Sequence, residues 1–379
     1  MKILHVISAP AAGGAEVYVK DLAVCLSASG HDVHIGFVTH ANNEDGSREI
    51  ERSFLGELDT AGIPYFFVGR TSRYAPLAGA VRVRGYVSDN KIDVYHAHLV
   101  YGVVFGAFLR IPRVYTHHNI RMRLSRSVFR QVCRFIDQLV AISSTCADQL
   151  EAYSGRKVAT IFNGTDLRKF ADKAVARSYG YETIECIAVG RICDQKNYPM
   201  IIEALGRQPS EVLARVRLSI VGGGAAADVS ELEQRIDEFG LREKVRLAGL
   251  RDDVPDLLRN SDLFLMSSVY EGLPIALIEA TAAGLPALVT DVGGCTEIID
   301  ACQNGVSVAA GDTDAFARAI CHLIVNPELM TTYSRNAIQN AGRFSIERSC
   351  NDHASLYSEQ LAPGGEGNRR PRLKGRTQS

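Results

Sequence analysis

Short β-branched runs alternate with helix-like stretches in two series along this chain, and the alternation lapses once, in the polar segment NGTDLRKFADKAVARSYGYET from Asn163 to Thr183. Short buried strands joined by helices pair in parallel, because a parallel neighbour is reached only through a crossover. In the first series strands are expected near Lys2 to Ile7, Asp32 to Val38, Pro64 to Val68, Ile92 to Tyr95, Arg113 to Thr116, Gln138 to Ile142 and Lys157 to Ile161. In the second they are expected near Ile184 to Val189, Val216 to Val221, Val245 to Ala248, Leu263 to Met266 and Ala287 to Thr290. With 379 residues, enough for two cores, the pattern predicts two doubly wound α/β domains. Such sheets bind ligands at the carboxyl ends of their strands, so the expected site is a cleft between two facing sheets.

Composition narrows the function. A formal net charge of -1 argues against a nucleic-acid binder, whose footprint is strongly basic. The start, MKILHVISAP, reads as a first strand rather than a signal peptide, and the longest apolar runs are broken by Arg, Pro or Gly. The nine cysteines show no CxxC pair and no metal-ligand spacing, as in a reduced, cytoplasmic protein. The last eighteen residues, APGGEGNRRPRLKGRTQS, read as a disordered basic tail.

Chemistry concentrates in SSVYEGLPIALIEA, Ser267 to Ala280. Here Glu271 sits on a turn after a buried strand, and Glu279 lies in the helix that Pro274 opens. The backbone N–H groups at that helix start suit an anion, and Glu271 beside them suits hydroxyls, as in a sugar attached to a phosphate. Two solvated surface charges would give the same spacing. After the strand ending at Val189, Arg191 and Lys196 could clamp a diphosphate, or be ordinary loop bases. Gly13 and Gly14 follow the first strand and open a helix, which fits either close approach of a ligand or a flexible turn. Gly222 to Gly224 does not complete a dinucleotide fingerprint, which argues against a nicotinamide cofactor.

His96, His98, His117 and His118 end two predicted strands. Strand-end pairs are expected to split between opposite faces, and no carboxylate or cysteine accompanies them, so no metal site is expected; a histidine hydrogen-bonded to substrate in the cleft is the favoured reading. Asp312-Thr313-Asp314, a D-x-D, precedes a helical run and reads as a helix N-cap. Between Asp93 and Asp137 there is no acidic residue but seven arginines, among them Arg121, Arg123, Arg126, Arg130 and Arg134. The last three share one helical face, which could meet an anionic membrane, hold a phosphorylated acceptor or simply face solvent.

Together these residues resemble the retaining GT-B glycosyltransferases of glycosyltransferase family 4, from the Gly13-Gly14 turn to about Leu361. Glu271 to Glu279 matches the family's E-x7-E, Gly190-Arg191 with Lys196 its diphosphate clamp, and Asn163-Gly164-Thr165-Asp166 its pre-linker motif. Ser143 falls where the family commonly has a serine, and Thr116-His117-His118 resembles its T-x-H, which singles out His118. The resemblance implies two facing Rossmann-like domains: 1–165 for the acceptor and 183–345 for a nucleotide-diphospho-sugar, with a linker at 166–182. A helix at 346–361 would return to the first domain, and the tail would be 362–379. It implies a donor co-substrate, with a UDP-sugar the leading choice, and neither cofactor nor metal. Arg191 and Lys196 would stabilise the departing diphosphate, Glu271 would hold the sugar, Glu279 the ribose, and His118 would touch the sugar from the opposite domain. Gly13, Gly14, Gly190, Gly272, Leu273 and Pro274 would line the donor. The acceptor would be a glycan or lipid-linked chain in surface polysaccharide or lipopolysaccharide assembly, with the protein cytoplasmic and peripheral on the inner face of the membrane. A nucleotide-sugar epimerase or a non-catalytic GT-B subunit are the alternatives. Asn197 stands where many members have glycine, which leaves the donor loop's shape open.

Overall fold

The computed structural model describes residues 1–41, 47–122, 124–171, 179–180 and 183–362. Thirteen strands form two separate, wholly parallel sheets among these residues. The first contains β1 (Lys2–Ile7), β2 (Asp32–Phe37), β3 (Tyr65–Phe67), β4 (Val94–Ala97), β5 (Arg113–His117), β6 (Gln138–Ala141) and β7 (Ala159–Thr160), in the order β3-β2-β1-β4-β5-β6-β7. The second contains β8 (Ile184–Val189), β9 (Val216–Val221), β10 (Val245–Gly249), β11 (Leu263–Met266), β12 (Ala287–Thr290) and β13 (Gly305–Val308), in the order β10-β9-β8-β11-β12-β13. Central strands such as β5, β11 and β12 are buried at every position, as helices on both faces of a parallel sheet require.

The strand β13 was not expected from the sequence. Its run, Gly-Val-Ser-Val, is short and half-buried throughout, so it carries neither an apolar block nor a clean alternation.

Each sheet reverses its winding at one place, between β1 and β4 in the first and between β8 and β11 in the second. A crevice opens at the carboxyl end of such a switch point because the flanking crossovers leave in opposite directions. The β1–β4 register pairs His5 with His96. Gly13-Gly14 follows β1 and His98 follows β4, while the Arg191–Lys196 loop follows β8 and the Glu271 turn follows β11.

The chain passes between the domains twice at one point. The Thr165 N–H donates to the Phe344 carbonyl at 3.0 Å, and the Ile346 N–H donates to the Thr165 carbonyl at 2.9 Å. The helix Ile346–Leu361 then lies along the first helix, Gly14–Ala28. There the Tyr18 and Ser349 hydroxyls are 2.7 Å apart, and the Tyr357 hydroxyl is 2.7 Å from His96 Nδ1. The apolar core of the first domain continues through Ile275, Leu277 and Ile278 into one face of the second sheet, and the other face has its own core.

The basic segment departs from a single helix. The α-helix Arg126–Val132 ends before a 3-10 turn, Cys133–Phe135, so Arg134 does not continue the face of Arg126 and Arg130. Arg123 and the tail from residue 363 lie outside the described residues.

A β-carbon at Gly164 would stand 2.3 Å from the Ser345 carbonyl oxygen, a backbone atom that cannot step aside. Gly164→Ala is therefore expected to destabilise the fold by about 1–3 kcal/mol, read as a lower urea midpoint.

Candidate active site

In the second domain the loop leaving β8 is built against the glycine run that leaves β9. Gly190 and Gly222 have φ of +152° and +149°, and a β-carbon on Gly222 would meet the Gly190 carbonyl oxygen at 2.0 Å. The Ile192 N–H donates to the Gly223 carbonyl at 2.8 Å. Gly222 to Gly224 thus serves as the floor of the Arg191–Lys196 loop, a role distinct from dinucleotide binding. Asn197 closes this loop in the left-handed region, at φ +48°. Asparagine is among the few non-glycine residues that tolerate that conformation, so the loop keeps a glycine-like turn without glycine.

The loop is laced to the turn after β11. The Ser267 hydroxyl lies 2.9 and 2.8 Å from the Lys196 and Asn197 carbonyls, and the Val269 N–H donates to the Gln195 carbonyl at 2.8 Å. The Lys196 ammonium meets Glu271 Oε1 at 2.6 Å, and the Ser268 hydroxyl donates to the same oxygen at 2.7 Å. Glu271 is buried, and these two donors converge on one of its oxygens. Arg191 is exposed and has no ion pair among the described residues, which leaves its guanidinium available to an anion.

Gly272, Leu273 and Pro274 are buried where the domains meet. A β-carbon on Gly272 would lie 2.9 Å from the His118 carbonyl oxygen, and one on Gly14 would lie 3.5 Å from Ile275. The Arg121 guanidinium lies 3.8 Å over the Tyr270 ring, which places it at the Glu271 turn of the second domain. Beside Gly13, Glu16 folds back: a β-carbon on Gly13 would meet the Glu16 carboxylate at 2.2 Å, and Ser8 donates to that carboxylate.

Two further contributors went unread in the sequence. Gly293, at φ +52°, would drive a β-carbon to 1.8 Å from the Glu271 carbonyl oxygen, and the Gly294 N–H donates to the Gly272 carbonyl at 2.8 Å. Glu297, one turn into the following helix, accepts the Ser144 and Thr145 N–H groups of the first domain at 2.9 and 3.1 Å. The signal was a glycine pair between a strand and a helix, the same pattern as Gly13-Gly14. Ser143 caps the helix Ser144–Ser154 by accepting the Cys146 N–H.

The histidines are arranged differently from the expectation. His96 and His98 are two apart on an extended chain and share a face, with ring centres 4.0 Å apart, while His117 turns away to the Tyr115 hydroxyl at 2.8 Å. His118 Nε2 lies 2.8 Å from His98 Nδ1, and His98 Nε2 lies 2.9 Å from His5 Nδ1. His96 bonds Tyr357 and Thr116, both at 2.7 Å. Ligand atoms of His5, His96 and His98 lie within 4.8 Å of one another. Both nitrogens of His96 and His98 are already hydrogen-bonded, so a cation there would have to break this network. Burial, then the nearby His353, lowers His5 to about 3; burial, then His117 and His353, lowers His118 to about 3. The network is neutral at physiological pH.

Glu279, on the helix Ile275–Ala282, is half-buried at its own surface but set in dense protein. Burial, then repulsion from Asp21, pushes its carboxyl up to about 7, against the pull of Lys169 and Lys20. Lys169 itself holds Asp21 at 2.9 and 3.0 Å. Asp312 accepts the Ala315 N–H at 2.8 Å, so the D-x-D is a helix cap.

With this geometry the chain matches two family models: Glycosyltransferase Family 4 over residues 12–169 and Glycosyl transferases group 1 over residues 180–340. The chain belongs to glycosyltransferase family 4. It is 28% identical to EpsF of Bacillus subtilis (strain 168), over 79% of this chain and 81% of EpsF. It is 25% identical to the UDP-Gal:alpha-D-GlcNAc-diphosphoundecaprenol alpha-1,3-galactosyltransferase of Escherichia coli, over 70% of this chain and 69% of that protein. Anabaena HepE in complex with UDP-glucose superposes with a TM-score of 0.79 at 23% identity, over 94% of this chain and 99% of HepE. The GT-B architecture is therefore that of this glycosyltransferase. Among the described residues no helix is long and apolar enough to cross a membrane.

The buried histidines make stability depend on pH. A ring held near 3 in the fold and near 6.5 in the unfolded chain favours the unfolded state as protons are added, so stability is complete above pH 6.5 and lost as pH falls towards 3. Between pH 6.5 and 5 the buried His5 alone is expected to cost about 2 kcal/mol, measurable as a falling urea midpoint.

Proposed function

We propose that this glycosyltransferase moves a sugar from a nucleotide-diphospho-sugar to a glycan or lipid-linked acceptor, with retention of configuration and without a metal. The observation that carries this reading is the Lys196–Glu271 pair, which joins a diphosphate clamp to a buried sugar-binding carboxylate at 2.6 Å. Arg191 and Lys196 neutralise the departing diphosphate, and the positive charge they supply takes the place of a cation. Glu271 accepts hydroxyls of the transferred sugar, Glu279 accepts those of the ribose, and His118 meets the sugar from the first domain. Gly13, Gly14 and Gly272 to Pro274 let the backbone approach the donor closely. The HepE–UDP-glucose complex supports a UDP-sugar as donor. The name of the Escherichia coli relative supports a polyprenyl-diphosphate-linked acceptor and hence surface polysaccharide assembly.

The acceptor domain spans 1–165 and the donor domain 183–345 in this reading. The protein works in the cytoplasm on the inner face of the membrane. Arg126 and Arg130, with the exposed Val128 on the same helix and Arg134 and the exposed Phe135 on the turn after it, supply basic and apolar groups for an anionic lipid surface.

Because Arg191 is exposed, Arg191→Ala is expected to leave the urea midpoint unchanged while lowering kcat about 100-fold or more in a nucleotide-sugar transfer assay. Wild-type transfer by that variant would remove the clamp, and donor conversion without acceptor would point to an epimerase. Nucleotide affinity, by calorimetry, is expected to weaken as pH falls through about 7, where Glu279 takes up its proton; Glu279→Gln should abolish that dependence. Sedimentation with anionic liposomes should be lost when Arg126, Arg130 and Arg134 are replaced by Ala, and its persistence would end the membrane assignment.

A further inference from the structure

His118 is the last ring of a three-imidazole chain that runs from the domain boundary into the core. Its Nε2 meets His98 Nδ1 at 2.8 Å, and His98 Nε2 meets His5 Nδ1 at 2.9 Å. At the two ends His118 Nδ1 and His5 Nε2 are buried with no hydrogen-bond partner. All three rings are held neutral by burial, so each carries one proton. Two protons occupy the two N···N contacts, and the third must sit at one end or the other.

The two ends are not equivalent. His5 is fully buried in β1, and a proton on its Nε2 would be an N–H sealed in the core with no acceptor, among the rarest of buried groups. His118 Nδ1 is covered as well, but its residue is half-buried at the domain boundary, with its backbone carbonyl against Gly272, so a ligand entering the cleft can supply the acceptor that this end lacks. We propose that His98 and His5 are positioning residues that fix His118 as its Nδ1–H tautomer, so that His118 donates a hydrogen bond to an oxygen of the donor sugar. In this arrangement His5 Nδ1–H donates to His98 Nε2, and His98 Nδ1–H donates to His118 Nε2. Each ring's tautomer is set by the bond its other nitrogen makes. The direction stays fixed through turnover, because reversing it would require the sealed His5 Nε2 to gain a proton. The chain is thus a brace and not a proton shuttle.

The proposal rests on His118 meeting the donor, and its test separates the two. Nitrogen-15 NMR of the full chain, with and without UDP-glucose, reads the tautomers directly, and nucleotide-sugar transfer assays read the rate. In the wild type His5, His98 and His118 should all be Nδ1–H. His5→Leu removes the anchoring donor, and it should shift His118 towards Nε2–H and lower kcat about tenfold, with little change in the KM for the donor. His5→Asn places an amide N–H where Nδ1 stood, and it should keep the His118 tautomer and most of the rate. An Nε2–H His118 in the wild type, or an unchanged His118 tautomer in His5→Leu, overturns the proposal. Equal rate losses in both variants with unchanged tautomers also overturn it, since they would mark His5 as packing alone. If the tautomers follow the pattern but the wild type transfers sugar from no nucleotide donor, the transfer reading fails and the brace stands.

Discussion

A doubly wound parallel sheet leaves its carboxyl edge open at the one point where the crossovers part, and this chain has two such points facing one another. Everything assigned to the site follows from that constraint. The residues that follow β1 and β4 are glycines and histidines, and those that follow β8 and β11 are basic groups and a carboxylate. The first set can approach and donate to a ligand, and the second can hold its charge. Neither sheet alone carries both, so the contacts between Gly272 and His118 and between Gly14 and Ile275 assemble the site as well as joining the domains.

Within the second half, the Lys196–Glu271 pair sets the electrostatics. The buried Glu271 carboxylate meets the Lys196 ammonium and the Ser268 hydroxyl at one and the same oxygen. The backbone supports this pair unusually closely. Gly222, Gly293 and Gly294 each stand where a β-carbon would strike another loop of the same site, and Gly190 where it would strike Lys196 of its own loop.

Much of this was legible because parallel strands are apolar blocks and the motif residues sit directly after them. Twelve strands, and the places of Arg191, Lys196 and Glu271 in the turns that follow two of them, could be read from that placement; it was the family resemblance that singled these three out from ordinary surface charges. What escaped depended on contacts distant in sequence. β13 is a weak edge strand that acquires its identity from β12, and Glu297 matters only because two N–H groups of the other domain lie opposite it. His5 looked like one more residue of a buried strand until β4 brought His98 alongside. His96 and His98 were expected to part company, although residues two apart on a strand point the same way. The arginines from 126 to 134 have a helical period, but the 3-10 turn at Cys133 interrupts it for reasons of packing that periodicity does not encode.

The returning helix bears on how the protein is made. Tyr357 and Ser349 supply partners to His96 and Tyr18, so the first domain is closed by a helix that is translated after the second domain. A ribosome delivers the whole second domain before that helix exists, leaving one flank of the first domain bare until then. Contacts this far apart in the chain form late and slowly. The domain that comes first in sequence is completed second.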